Sequence, residues 1–299
     1  MRIDVSEEVF FHLGGLAHCL HAPSRISSTC KETNEKRFKD AYFATAKSVH
    51  DIFLGIQHPD LGRKRIKNPK PTHLLLALRF LKQYPTKETL AGFGGVTEKT
   101  ALLRCWKYVE AIQALKEQKI VWLFGDTEKY QEVCVASVDG VHFCIWEPRK
   151  FPSAKWYSPK YKKAGLAYEI GVAVHHNKIV WVNGPFPAGE NDKKIFDKPD
   201  GLRSKLKDGQ QCVADQGYRG NLDKVVICNS RHDSQTKDVM ERAKARQESV
   251  NSRLKNFRVL RMPFRTVGAQ RLRKHKTVLE ACLVIIQFEL DNESRLMKV

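Results

Sequence analysis

The chain has 299 residues, 42% of them hydrophobic, enough for one sizeable core and a smaller accessory domain. No apolar run reaches the roughly 18 residues that a membrane-spanning helix needs, and Met1 to Phe11 carries acids where a secretion signal would be basic and then apolar, so neither membrane insertion nor secretion is expected. A formal net charge of +19 points to a polyanionic partner, nucleic acid first, and argues against a small-substrate phosphatase, for which a local positive pocket would suffice.

Eight cysteines (Cys19, Cys30, Cys105, Cys134, Cys144, Cys212, Cys228 and Cys282) contain no C-x-x-C pair and read as buried reduced thiols. The group His18, Cys19, His21 and Cys30 matches no structural-zinc spacing. Residues 1–62 are helical in pattern, with Phe10 and Leu13, then Phe38, Ala41, Tyr42, Ala46 and Val49 at helical steps; their role is not legible. Residues 63–71 form a basic, proline-punctuated stretch that reads as an exposed linker and as a short nuclear-import signal.

Residues 72–118 carry three closely spaced helical segments, Leu74 to Tyr84, Lys87 to Phe93 and Thr97 to about Leu115. A glycine turn followed by the Thr97 cap reads as a helix-turn-helix-like unit, whose last helix would offer Lys99, Thr100, Arg104 and Lys107 to a DNA groove. A plain helical hairpin with no DNA contact fits the same pattern.

A connector, 119–132, leads to a region of strands over 133–292: Val133 to Trp146, Glu169 to His175, Ile179 to Asn183, Gln211 to Ala214 and Lys224 to Cys228. An amphipathic stretch near Asn191 to Leu206, a long helix over Thr236 to Phe257 and an apolar helix over Lys276 to Leu290 complete it. The order predicts an α/β domain, a ribonuclease H-like mixed sheet flanked by helices, behind an all-helical N-terminal region.

Phosphodiester cleavage with two metals needs carboxylates converging on ions about 4 Å apart. Asp139 ends the apolar run Val133 to Val138, where a half-buried carboxylate is costly without a counter-charge. Asp215 ends the apolar strand Gln211 to Ala214, with Gly217 soon after. Glu248 borders the buried seam of the long helix, beside Lys244, Asn251, Ser252 and Lys255. Each admits a plainer reading, as two turn aspartates and a solvated helix face.

Together the stretches VASVDGVHF (135–143), GPFPAGENDKKIF (184–196), VADQGYRG (213–220) and ARQESVNSRLKNFRVL (245–260) resemble the Harbinger-like branch of the DDE transposases, over roughly Pro71 to Leu290. The resemblance implies Asp139, Asp215 and Glu248 as catalytic acids holding two divalent ions, Mg2+ or Mn2+. Asp192, Asn251 and Lys255 would be supporting residues, and Arg253, Lys255 and Arg258 would grip phosphate. Gln247 stands where the family usually carries histidine. The resemblance further implies a nuclear protein acting on double-stranded DNA, transposon ends and target, as a homo-oligomer, with a Myb-like DNA-binding partner. The competing expectation is a domesticated nuclear DNA-binding protein that has lost catalysis.

Overall fold

The computed structural model of the chain describes residues 3–17, 28–125, 133–148, 153–220, 223–227, 233–292 and 295–299. The candidate metal group His18, Cys19 and His21 lies outside them, as does Cys228. The chain divides into two compact units, one holding residues 1–119, 256–259 and 277–293, the other residues 120–255, 260–276 and 294–299. No helix is long and apolar enough to cross a membrane.

The first unit is helical: α1 (Glu7–Ala17), α2 (Ser28–Tyr42), α3 (Ala46–Gly55), α4 (Pro71–Gln83), α5 (Lys87–Gly94), α6 (Glu98–Ala114) and the single turn α7 (Lys116–Lys119). Proline at the first turn of α4 sacrifices no hydrogen bond, and Leu74 to Leu81 is then buried throughout. Helix α5 starts at Thr86 and stops at Gly95, whose φ of 58° only glycine takes cheaply. Helix α6 is capped by Thr97, which accepts from the Thr100 amide at 3.4 Å. These are the three segments read from periodicity.

The basic stretch 63–71 is not a free linker. Ile66 is 2% exposed and its amide donates to the Ile56 carbonyl, Lys64 Nζ donates to Gln113 Oε1, and the Lys70 amide donates to Tyr108 Oη at 2.6 Å. The apolar C-terminal helix fills this unit, its buried Glu289 taking Lys39 at 2.7 Å and the Thr45 amide at 2.8 Å. Such pairing is what makes a carboxylate tolerable in a core.

The second unit is a mixed sheet with helices. Its strands are β1 (Cys134–Cys144), β2 (Tyr157–Ser158, after the one-turn α8, Ser153–Trp156), β3 (Lys163–Ala173), β4 (Ile179–Pro187), β5 (Gln211–Ala214) and β6 (Val225–Ile227). Strands β3 and β1 are antiparallel neighbours, β1, β5 and β6 run parallel, β4 lies along β3, and β2 extends the start of β3. Helices α9 (Asp192–Phe196), α10 (Ser234–Lys255), α11 (Arg258–Arg261) and α12 (Arg271–Asn292) complete the chain.

The two-residue period of the strands sorts side chains to two faces. Cys212, Ala214, Val225 and Ile227 face a core with Phe124, Phe196, Leu202 and Tyr218, while Val213 and Val226 face the other side with Met240 and Ala243 of α10. Cys105, Cys212 and Cys282 are buried free thiols, whereas Cys134 and Cys144 are free but only half-buried. Burial pushes all five thiols up from the usual thiol range and so disfavours the thiolate. The amphipathic stretch 191–206 is broken into α9 and a short 3-10 turn at Leu202–Lys205, because Pro199 and Gly201 interrupt it.

Candidate active site

Parallel pairing of β1 and β5 sets Ser137 opposite Val213. Asp139 follows Ser137 by two residues within β1, and Asp215 follows Val213 by two residues, directly after the last residue of β5. Asp215, past the end of β5, is exposed, while the two-residue period keeps Asp139 on the face of Ser137, which α10 covers. There Gln247, fully enclosed, receives the Ser137 hydroxyl at 3.1 Å and donates to the Ile170 carbonyl at 3.2 Å, and Asn251 Nδ2 donates to Asp139 Oδ2 at 2.7 Å. Two strand residues and four helix residues both span about 6 Å, so these two links fix α10 alongside β1 in the same sense.

Gly140 has the opposite orientation to Asp139, and Asp192 stands on that side. A Cβ at Gly140 would overlap Asp192 Oδ1, and one at Gly217 would lie 3.0 Å from Asp215 Oδ1 and 3.4 Å from Asp192 Oδ2. The Asp192 carboxylate therefore sits between the two aspartate segments. Asn191 holds it there by capping α9, accepting from the Lys193 amide at 2.9 Å. Asp215 is likewise fixed, accepting from the Gly217 amide at 2.8 Å. We expect Gly140→Ala to displace the Asp192 carboxylate and to lower any activity of the site at least about tenfold while changing stability by under about 2 kcal/mol. Normal turnover by a folded Gly140→Ala protein would mean that Asp192 can move without consequence.

Crowding is visible in the protonation behaviour. Burial first, then the carboxylates of Asp215 and Asp192, push the Asp139 carboxyl up to about 6, against Lys160 and the Gly140 amide. Asp192 is raised by burial and then by Asp215, again against Lys160. Glu169, opposite Gly140 in β3, is a further acid that the sequence did not single out. It is 1% exposed and pushed up to about 7 by burial, with Trp181 Nε1 donating to Oε2 at 2.9 Å and the Leu202 amide also donating. Its Oε1 and the Tyr218 hydroxyl are buried with no hydrogen-bond partner among the described residues.

Glu248 is not drawn into this cluster. It is exposed, and the charges acting on Asp139 do not include it. Its place is nonetheless one turn before Asn251 on the helix that Asn251 ties to Asp139. Lys255 is exposed at the end of α10 and Arg253 half-buried. In the first unit, Lys99, Lys107 and Arg258 are exposed, and Thr100 and Arg104 are half-buried. Leu103, 70% exposed between Lys99 and Lys107, shares their stripe of α6.

Among the described residues, no three of His, Cys, Asp and Glu converge closely enough to ligate one ion as placed. The donor chemistry still suits a hard divalent cation, since Asp139, Asp215 and Asp192 offer only carboxylate oxygens and repel one another.

Fold and site together define a mixed α/β domain with Asp139 inside β1 and Asp215 just past the end of its parallel neighbour β5, Asp192 standing close to both segments. A family model described as DDE superfamily endonuclease matches residues 138–287, about half of the 299 residues, and the chain belongs to that family. The match contains Asp139, Asp192, Asp215 and Glu248. No curated protein and no solved structure matches the chain.

Proposed function

We propose that this protein is a transposase of the Harbinger-like kind, or a nuclease derived from one, that cuts and joins double-stranded DNA in the nucleus. The observation that carries the reading is the Asp192 carboxylate standing against Gly140, next to Asp139 on β1, and near Gly217, two residues past Asp215 at the end of the parallel neighbour β5. The strand order β4-β3-β1-β5-β6, antiparallel on one side of β1 and parallel on the other, supports a ribonuclease H-like sheet. The charge of +19 supports a DNA partner.

Asp139 and Asp215 would hold the metal, with Glu248 as the third ligand and Asp192 beside them. Bound Mg2+ or Mn2+ ions would make water or a 3′ hydroxyl nucleophilic and offset charge on the leaving oxygen. The protein's own residues set the stage for this. Asn251 orients the Asp139 carboxylate through Oδ2, and Gln247, standing where a histidine was expected, fastens α10 to β1 and β3. Lys255, Arg253 and Arg258 would grip backbone phosphates, and Lys99, Thr100, Arg104 and Lys107 would face a groove if α4 to α6 work as a helix-turn-helix-like unit. A homo-oligomer on paired ends and a Myb-like partner belong to the same reading.

The experiment is magnesium-dependent nicking of supercoiled plasmid by the purified full chain. Wild type is expected to nick and Asp215→Ala to lose at least about 100-fold. Equal products from both would leave a DNA-binding protein without catalysis.

A further inference from the structure

One cation is placed against the acids. Lys160 occupies the turn between β2 and β3, is exposed, and makes no ion pair within 4 Å among the described residues. The turn is pinned on two sides. Ser158 Oγ and His142 Nδ1 are 2.8 Å apart, with His142 three residues beyond Asp139 on β1. On the other side the Gly189 amide donates to the Lys155 carbonyl at 3.2 Å, three residues before Asp192. A Cβ at Gly189 would lie 2.9 Å from the Lys155 carbonyl oxygen and 3.3 Å from that of Tyr157, so the approach depends on glycine. Within the turn, the Lys162 amide closes on the Ser158 carbonyl at 2.8 Å, with Lys162 at φ 51°. Lys160 thus sits on a tight turn anchored beside both aspartate segments. Among the described residues, its charge bears on Asp139 and on Asp192 alike.

We propose that Lys160 contacts a non-bridging oxygen of the phosphate that is cut, an inference that rests on reading the aspartates as the cutting centre. A phosphodiester carries a negative charge, and three neighbouring carboxylates oppose its approach. A lysine on a rigid turn at their border supplies a compact positive charge to escort it. The contrasting role, mere neutralisation of the acids within the folded protein, would leave DNA untouched.

Two measurements on the full chain separate these roles. In an Asp215→Ala background, which silences cutting, the dependence of duplex affinity on salt is compared with and without Lys160→Met. Loss of one phosphate contact lowers the slope of log K against log salt by about one, and Lys160→Arg should retain it. With Asp215 intact, Lys160→Met should lower magnesium-dependent nicking at saturating DNA by about 10- to 100-fold, with Lys160→Arg restoring most of it. An unchanged slope together with nicking equal to wild type overturns the inference. So does a large shift in melting temperature with an unchanged slope, which would mark Lys160 as structural. Failure of the underlying reading looks different, because the unsubstituted chain would then not nick at all, while the slope would still report whether Lys160 meets phosphate.

Discussion

Asp139→Asn is expected to abolish magnesium-dependent DNA cutting, by about 1000-fold or more, and at the same time to stabilise the metal-free protein. The two effects have one cause. Burial and the carboxylates of Asp215 and Asp192 push Asp139 up to about 6, whereas an aspartate in an unfolded chain titrates near 4. Between those values the folded state holds more protons than the unfolded one. Stability contributed by this group is therefore full below pH about 4, falls as pH rises through about 6, and stays low above it. Asparagine removes the charge, keeps an oxygen for Asn251, and should recover about 1 to 3 kcal/mol at pH 8, a gain that disappears at pH 4. Thermal unfolding at both pH values in EDTA measures it. A destabilised Asp139→Asn protein at pH 8 would mean that the acid is not under strain.

Arg246→Met is expected to cost about 2 to 4 kcal/mol in the second unit. The Arg246 guanidinium is buried, and it donates to the carbonyls of Ala173 at 3.1 Å, of His176 and of Met297. Burial lowers its ionisation, and the three carbonyls are what offset that cost. Methionine fills a similar volume but leaves those oxygens short of donors, which is dearer than losing the bonds alone. Because Arg246 precedes Gln247 on α10, loosening it also frees the helix that carries Asn251 and Glu248. Urea unfolding gives the number, and a change under about 0.5 kcal/mol would show that water replaces the guanidinium readily.

Much of this was legible in the chain. Three-residue and four-residue steps located α4, α5 and α6, because their buried faces are apolar and their caps are threonine and glycine. The two aspartates stand out because an acid that closes an apolar run needs a reason, although β1 continues past Asp139 to Cys144. Other features were hidden by the limits of pattern. Residues 63–71 read as linker since their charges dominate, yet Ile66 and Pro69 are buried and hold the stretch down. Strand β2, two residues long, has no period to detect. The resemblance gives Asp192 a supporting place, and its carboxylate filling the space where a Cβ of residue 140 would stand shows how close it comes to the Asp139 segment. Glu169 could not be found at all, because one acid in a strand reads as its solvent side, and its burial depends on Trp181 and Leu202 arriving from elsewhere. Glu248 borders the seam of α10 in the sequence and is exposed, one turn from the residue that touches Asp139.

Gathered aspartates of this kind are proposed to hold divalent cations. Crystals of the full chain soaked in Mn2+, with data collected for anomalous scattering, test it most directly. A peak is expected within ligand distance of carboxylate oxygens of both Asp139 and Asp215, absent from Asp139→Asn crystals treated alike. Well-ordered aspartates with no peak between them, in crystals that take up Mn2+ elsewhere, would contradict it.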